Sequence, residues 1–271
     1  MKLSENDIID LYLKDEFLIT SGDNRIFETL KPDLKIIYED ENILLADKKA
    51  GMIVHPDNRE EVNTLINHIT AYLYQKGEYN PDLENSFAPS LCNRIDRNTG
   101  GIVICAKNAE TLRVINEKIK NNEIIKKYLC LVRGVPKKKQ AVLTAYHKKN
   151  TETNTVKISD NHFPGAKIIQ TKYKVLNEKN NICLVEAELL TGRTHQIRAH
   201  FAHISHPLAG DFKYSQNKEH NKADKKLGFF SQALYSYKLT FKFKDTGILN
   251  YLNGRSFTVD IKDIGFARAF L

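Results

Sequence analysis

Residues 173–190, YKVLNEKNNICLVEAELL, indicate the fold class, because two β-rich arms flank a short polar turn and together predict a β-hairpin. A second hairpin is predicted at residues 34–49, where apolar residues alternate around an acidic turn. Further strands are predicted at 100–108, at 124–136, as a pair around a polar connection within 141–176, and at 235–243. Strands that follow one another directly favour antiparallel pairing. We therefore expect an α+β fold with a mixed, largely antiparallel β-sheet core flanked by helices.

Three helices are predicted between these strands. Apolar residues recur at helical spacing from Val62 to Leu73, which indicates an amphipathic helix over residues 61–76. Asn108 stands at an N-cap position before a second apolar stripe. The histidine-rich stretch 191–211 is expected to form the third helix.

The domain organisation is predicted to be simple. Residues 1–30 are separated from the first hairpin by the sequence LKPD, and we expect them to form a small N-terminal appendage. Residues 31–271 contain no internal repeat and no low-complexity linker, so we expect one larger domain with its own core.

Composition narrows the range of partners. The 271 residues include 41 Lys and Arg against 33 Asp and Glu, a formal charge of +8 with a pI near 9.1. This surplus favours a polyanion but does not choose between nucleic acid and a membrane surface, and solvated lysines are the alternative. No apolar run approaches the roughly 20 residues that cross a bilayer. The polar, acidic start is not a signal peptide and the four cysteines are widely spaced, so we expect a reduced, cytoplasmic protein.

The stretch TGRTHQIRAHFAHISHPLAGD, residues 191–211, could hold a metal or bind an anion. Its four histidines are spaced by five, three and three residues, but it contains no H-E-x-x-H pattern and no cysteine. Apolar residues at helical spacing run between the histidines. This pattern favours histidines that are ordinary helix residues with hydrogen-bond partners over histidines that bind a metal. We therefore expect no metal site.

Two arginines in this stretch point to anions instead. Arg193 and Arg198 bracket the predicted start of the helix, and Thr191 and Thr194 are candidate caps for it. Exposed N–H groups at a helix start beside a guanidinium can bind an anion, although a structural salt bridge suits either arginine equally well.

Residues 93–108, NRIDRNTGGIVICAKN, place Asp96 between Arg94 and Arg97 in a polar turn that runs into a buried strand. A salt-bridged turn is one interpretation. The other is a reactive carboxylate, because cationic neighbours keep an aspartate ionised and an ionised aspartate can act as a nucleophile or a base.

Taken together, these two stretches resemble the RluA-type pseudouridine synthases, which isomerise uridine in ribosomal or transfer RNA. The family's His-Arg-Leu-Asp and Thr-Ser-Gly signature stands here with Asn93, Ile95 and Gly100 as departures, while Asp96 and the arginine before it are kept. The second signature, GRTHQIR, is intact at 192–198.

Three further segments are similar to the family and occur in its order, so the resemblance covers about residues 32 to 245. They are 36–56, with Lys49 in place of a proline; 126–134, with Tyr128; and HPLAGD at 206–211, followed by Tyr214. The N-terminal residues are similar to the end of a small RNA-binding module, which would be degenerate or truncated here.

The resemblance implies roles for individual residues. Asp96 would be the catalytic carboxylate, Tyr128 would stack on the uracil, and Arg198 would pair with Asp96. Contacts with the RNA or the target nucleotide are expected from a second set, namely Arg94, Arg97, Thr99, Arg193, His195 and Gln196. Arg94 would fill the gap left by the flipped uridine, and His195 is expected to brace its turn.

The expected function is therefore isomerisation of uridine in structured RNA, ribosomal or transfer, by a base-flipping enzyme. Isomerisation needs no redox partner or group donor, so we expect no cofactor, no metal and no membrane partner, and we expect a monomer. Two alternatives stay open: a catalytically inactive RNA-binding protein on the same fold, and a metal-dependent hydrolase built on the histidines.

Overall fold

The computed structural model describes residues 25–83, 87–150 and 155–270. Residues 1–24 of the predicted N-terminal appendage lie outside these ranges. The strands are β1 (Ile36–Glu39), β2 (Ile43–Lys48), β3 (Ser90–Leu91), β4 (Gly100–Ala106), β5 (Ile124–Arg133), β6 (Gln140–Asn150), β7 (Thr155–Ser159), β8 (Lys167–Lys179), β9 (Ile182–Leu189), β10 (Leu234–Phe241) and β11 (Ser256–Thr258). The helices are α1 (Ile26–Thr29), α2 (Leu65–Gln75), α3 (Ala109–Lys120), α4 (Gln196–His203) and α5 (Lys218–Lys226), and 3₁₀ turns lie at Asn250–Leu252, Ile261–Asp263 and Arg268–Phe270.

The strands form one sheet in the order β1-β2-β4-β10-β5-β9-β8-β6-β7, with β3 added to β4 and β11 added to β10. Pairing between the named strands of the described ranges is antiparallel except between β4 and β10. The prediction of an α+β fold with a mixed, largely antiparallel sheet is confirmed.

The hairpin at 173–190 is confirmed, since β8 and β9 pair antiparallel around Asn180 and Asn181. Both asparagines have positive φ, 51° and 58°. Asparagine tolerates this left-handed region, and two such residues suit the right-handed twist of a hairpin.

The two strands predicted within 141–176 are present as β6 and β8, but the polar connection between them contains a third strand, β7, that was not predicted. This five-residue strand pairs with β6 at the edge of the sheet and is only partly buried. An edge strand needs no continuous apolar run, so Val156 and Ile158 on either side of a lysine did not stand out as a strand.

Helix starts follow their polar caps. Asn108 caps α3 by accepting a hydrogen bond from the backbone N–H of Thr111 at 2.9 Å, as predicted. Helix α2 begins at Leu65 rather than at residue 61, because Thr64 takes the N-cap position and accepts from the N–H of Asn67. No helix in the described ranges is long and apolar enough to cross a membrane.

The sheet separates one large core from two smaller ones. On the back face, Leu45, Leu129 and Leu239 pack with α3 and the C-terminal segment. On the front face lie two smaller clusters. The α2 core, under helix α2, includes Leu44, Leu65, Ile69, Leu73 and Val103, and the α4 core, under helix α4, includes Tyr128, Cys130, Val185, Ile197 and Phe201. Alternation along β2, β4 and β5 sends successive side chains to opposite faces, which is why β4 is apolar throughout and the buried stretches 43–46 of β2 and 128–132 of β5 are continuous apolar runs.

Candidate active site

The turn 93–99 lies on the front face, at the seam between the two smaller cores. Ile95 packs against both the α2 core and the α4 core, and this fixes the turn from its apolar side. The side-chain oxygen of Asn93 accepts a hydrogen bond from the N–H of Ile104 at 2.8 Å, and the N–H of Thr99 donates to the carbonyl of Asp96 at 3.0 Å. Asp96 therefore stands on a rigid turn, with 26% of its side chain exposed.

Two glycines connect this turn to the sheet. A Cβ atom on Gly100 would lie 2.7 Å from the ring of Tyr235, so the aromatic ring takes the space that the serine of the family signature would need. Gly101 has a φ of +112°, and a Cβ there would lie 2.2 Å from the carbonyl oxygen of Ser236. The departure at Gly100 thus matches a bulky neighbour on β10.

Arg198 is the cation on Asp96. Its Nη1 donates to Asp96 Oδ2 at 2.9 Å, while Nε and Nη2 donate to the two oxygens of Asp211 at 2.7 and 2.9 Å. Burial alone would lower the pKa of Arg198, but the bonds to Asp211 and Asp96 outweigh it and raise this pKa above its ordinary value. A guanidinium clamped in two directions can hold one carboxylate in a fixed orientation.

Asp96 is left with one open oxygen. Its Oδ2 contacts Arg198, whereas Oδ1 has no hydrogen-bond partner anywhere in the part of the chain that the structure describes. A carboxylate held by one oxygen and open at the other can attack an electron-poor carbon or accept a proton.

The local arginines do not neutralise Asp96. Arg97 is exposed and pairs with Asp57 at 3.3 Å, and Arg94 is also exposed. Neither forms an ion pair with Asp96 within residues 25–83, 87–150 and 155–270. The salt-bridged turn considered from the sequence is therefore not what the structure contains.

His195 occupies the N-cap position of α4 in a left-handed conformation, with a φ of 52°. Its Nδ1 lies 2.6 Å from the hydroxyl of Tyr214, and its Nε2 lies 3.9 Å from Asp96 Oδ2. Burial lowers the pKa of His195 to about 4, although the Asp96 carboxylate opposes this. A neutral imidazole therefore faces the carboxylate at ordinary pH.

Thr191 and Thr194 do not cap α4, contrary to the prediction. The Thr191 hydroxyl donates to Gln196 Oε1 at 2.9 Å, and the carbonyl of Thr194 lies 2.9 Å from Nε2 of His147. The N-cap is His195, whose side chain makes no capping bond because its ring turns toward Tyr214.

Gln196 is 2% exposed and bonds entirely within the protein. Its Nε2 donates to the carbonyl of Gln170 and to the hydroxyl of Thr171, and its Oε1 accepts from Thr191 and from the N–H of Arg193. This residue anchors the loop instead of facing RNA, while Arg193 is exposed.

The order of the strands brings Tyr128 to the same region of the sheet as Asp96. Asp96 leads into β4, β10 is the next strand, and Tyr128 lies on β5 opposite Ser236 of β10. Burial, opposed by a bond to Ser236 and reinforced by the charge of Asp96, raises the pKa of Tyr128 to about 12. The phenol is thus 5% exposed in the α4 core and within electrostatic reach of Asp96. Thr99 is also buried, with Nε2 of Gln232 3.4 Å from its hydroxyl.

Lys48 lies behind the turn and received no role from the sequence. Its ammonium donates to the carbonyls of Lys49, Met52 and Arg97, the last at 2.9 Å, and the side chain is 1% exposed. Burial lowers its pKa to about 8, and the nearby Asp96 carboxylate opposes that shift. Asp211 and Tyr214 were also missed as site residues. The signal that could have identified them is the family-like segment HPLAGD at 206–211 and the tyrosine that follows it.

The remaining histidines have separate partners. His200 Nδ1 lies 2.8 Å from the Thr171 hydroxyl, His203 pairs with Asp160 at 2.8 Å, and His206 Nδ1 lies 2.9 Å from a backbone carbonyl. Among the residues that the structure describes, no three His, Cys, Asp or Glu side chains are grouped to hold a metal ion.

Comparison with known proteins gives a consistent set of relatives. Residues 42–203 match the family profile described as RNA pseudouridylate synthase. The chain is 35% identical over 241 residues to an uncharacterized RNA pseudouridine synthase of Mycoplasma genitalium, covering 88% of this chain and 72% of that protein. It is 32% identical over 210 residues to the ribosomal large subunit pseudouridine synthase D of Zymomonas mobilis, covering 77% of this chain but only 64% of that protein.

A solved structure shares the fold. Human RNA pseudouridylate synthase domain containing 4 superposes with a TM-score of 0.64 at 20% identity, covering 83% of this chain and 87% of that one. At this identity the likeness establishes the fold alone.

Proposed function

This chain belongs to the RNA pseudouridylate synthase family, whose members are isomerases, and we propose that it converts uridine in structured RNA to pseudouridine with Asp96 as the catalytic carboxylate. The observation that carries the proposal is the open Oδ1 of Asp96, whose other oxygen is held by a guanidinium that Asp211 clamps. Asp211 holds Arg198, and Arg198 in turn holds one oxygen of Asp96. This arrangement fixes the orientation of Asp96 and leaves its other oxygen free to react.

The reaction needs only groups of this kind. The bond between uracil N1 and ribose C1′ breaks, the base turns, and C5 bonds to C1′; C5 loses a proton and N1 gains one, so atoms balance without a donor. An ionised carboxylate acts next to an electron-poor sugar carbon in retaining glycosidases, and Asp96 would act in the same manner as nucleophile or base. The ion pair with Arg198 would aim it.

Two further residues would handle the flipped uridine. Tyr128, in the α4 core within electrostatic reach of Asp96, would stack on the uracil. Arg94, exposed on the same turn, would fill the space that the base leaves. Flipping a nucleotide costs a few kcal/mol, least where the RNA is already looped. Contacts of the basic surface with phosphates would offset that cost and would weaken as salt rises.

Ribosomal RNA is the first substrate to test, because several relatives are named for the ribosomal large subunit. The experiment uses rRNA and tRNA transcribed with uridine tritiated at C5, since joining C5 to C1′ releases that tritium. Release from one RNA class, with pseudouridine mapped at a defined position, is the expected result. No release from any cellular RNA, together with tight RNA binding, would favour an inactive RNA-binding protein on this fold.

A further inference from the structure

Tyr214 contacts both groups that face Oδ2 of Asp96. It follows Asp211 by three residues, and its ring lies under the guanidinium of Arg198, with Cζ 5.1 Å from the ring centroid. Its hydroxyl lies 2.6 Å from Nδ1 of His195, and the two rings meet edge to face at 73°. The reaction as proposed gives this residue no part.

The ring closes the clamp on Arg198. Asp211 bonds the guanidinium at Nε and Nη2, and Asp96 takes Nη1, so each of the three nitrogens is held by one carboxylate bond in the plane. Movement out of that plane is limited by an aromatic face, which also attracts the cation. Loss of the ring would let Nη1 swing away from Asp96 while the bonds to Asp211 persist.

The hydroxyl decides which nitrogen of His195 carries the proton. The backbone of Val156 on β7 lowers the pKa of Tyr214, as a donor to its oxygen would, which leaves the phenol proton for Nδ1 of His195, 2.6 Å away. Burial raises the pKa of Tyr214 to about 12, which keeps the phenol protonated as a donor. With Nδ1 as the acceptor, the neutral imidazole carries its hydrogen on Nε2.

That tautomer suits the neighbouring carboxylate. His195 Nε2 lies 3.9 Å from Asp96 Oδ2, beyond direct hydrogen-bond length, so the interaction is electrostatic. An N–H dipole pointing at a carboxylate is favourable, whereas a nitrogen lone pair in that position would repel it. Arg198, Lys213 and Asp211 are the other charged groups that influence the imidazole.

We infer that Tyr214 is a positioning residue for Asp96: its ring fixes the plane of Arg198, and its hydroxyl fixes the Nε2–H tautomer of His195. Both groups then face Oδ2, and Oδ1 is left for the substrate. The kinetic part of this inference rests on the proposed function, whereas the tautomer is a property of the free protein.

Two variants separate the ring from the hydroxyl. Tyr214→Phe keeps the ring under Arg198 and removes the bond to His195, and Tyr214→Leu removes both. Tyr251→Phe is the matched control, because that tyrosine also donates its hydroxyl to a protein acceptor, Asp40 at 2.8 Å, but lies against the turn between β1 and β2.

The first measurement is nitrogen-15 NMR of the histidine rings, with the His195 signals assigned from a His195→Gln sample. The wild type and Tyr251→Phe should give the Nε2–H pattern, and Tyr214→Phe should give a mixture of tautomers. An unchanged His195 signal in Tyr214→Phe would overturn the tautomer assignment. Thermal melts would show whether Tyr214→Leu folds, and Tyr214→Phe decides the question if it does not.

The second measurement is kcat and KM for tritium release. Tyr214→Phe should lower kcat about tenfold, the size of one hydrogen bond, with KM changed less than about twofold. Tyr214→Leu should lower kcat about a hundredfold, and Tyr251→Phe should match the wild type. A kcat at the wild-type level in Tyr214→Phe would contradict the inference. A wild type without turnover would contradict the proposed function instead, and the NMR comparison would then decide the role of Tyr214.

Discussion

The two ends of strand β4 carry charged clusters that use their carboxylates differently. Before its first residue stands the site cluster, which we define as Asp96, Arg198 and Asp211. After its last residue stands the far cluster, defined as Glu39, Lys76, Glu78 and Lys107. A strand of seven residues separates them by roughly 20 Å.

The far cluster is saturated. Glu39 Oε1 accepts from Lys76 at 2.9 Å and from Lys107 at 3.0 Å, and Oε2 accepts from the hydroxyl of Tyr72 at 2.8 Å. Glu78 bonds both lysines as well. Two cations thus balance two carboxylates, and both oxygens of Glu39 are occupied.

The site cluster is unbalanced. One guanidinium serves two carboxylates, and the better-buried of the two, Asp211, takes the bidentate position. Asp96 keeps one oxygen open and 26% of its side chain exposed. A saturated carboxylate thus ties strands together, whereas a half-occupied and partly exposed carboxylate is available for chemistry.

Amide substitutions of the two carboxylates should have the most different effects. Asp96→Asn should lower tritium release by about a thousandfold or more, because the amide neither attacks nor accepts a proton, while RNA affinity stays within about twofold. Glu39→Gln should leave the rate unchanged. Substantial turnover by Asp96→Asn would refute the assignment of the catalytic carboxylate, and gel-shift titration checks binding.

The next largest effect concerns the cations. Arg198→Lys should lower kcat about a hundredfold, because one ammonium cannot bond Asp96 and both oxygens of Asp211 at once. The matched change at the far end, Lys107→Arg, should stay within about twofold of the wild type. A rate for Arg198→Lys within about twofold of the wild type, like that of Lys107→Arg, would mean that charge alone matters at the site, and single-turnover kinetics of the two variants distinguishes these results.

Local features were predictable from the sequence, because they depend on neighbours in the chain. The hairpin at Asn180 and Asn181, the cap at Asn108 and the buried strand after Asp96 all follow from composition within a few residues. Strand β7 failed, since its identity depends on pairing with β6 at the edge.

The site depended on long-range pairing. From the residues alone, the cations for Asp96 were its neighbours Arg94 and Arg97, whereas the structure uses an arginine 102 positions away. The family resemblance implied that pair, but it assigned nothing to Asp211. Its clamp on Arg198 arises only when the chain turns left-handed at His195 and folds back, which no local pattern encodes.

A smaller effect separates the two ends in acid. Burial lowers the pKa of His200, beside Arg198 on α4, to about 4, so protonation favours the unfolded chain, where the pKa is near 6.5. The stability that the neutral His200 provides is complete above about pH 6.5 and is lost as the pH falls toward 4. The loss in the free energy of unfolding is about 2 kcal/mol at about pH 5.

His200→Asn should remove most of this loss. Urea unfolding at about pH 7.5 and about pH 5 should show a smaller difference in the free energy of unfolding for the variant than for the wild type. Glu39 behaves otherwise: although burial opposes it, bonds from Lys76 and Lys107 lower its pKa below 4.5, so its contribution persists until the pH falls through that lowered value. Equal pH dependence of the wild type and His200→Asn would contradict the assignment.

The smallest expected effect is at Lys76, where the side chain is 42% exposed. Lys76→Met should cost less than about 1 kcal/mol in urea unfolding, because exposed ion pairs contribute little and Lys107 still pairs with both glutamates. Turnover should not change, because Lys107 and Tyr72 still occupy the two oxygens of Glu39 and the substitution lies at the far end of β4. A drop in kcat would mean that the two ends communicate along β4, and the separation of structural from reactive carboxylates would then be incomplete.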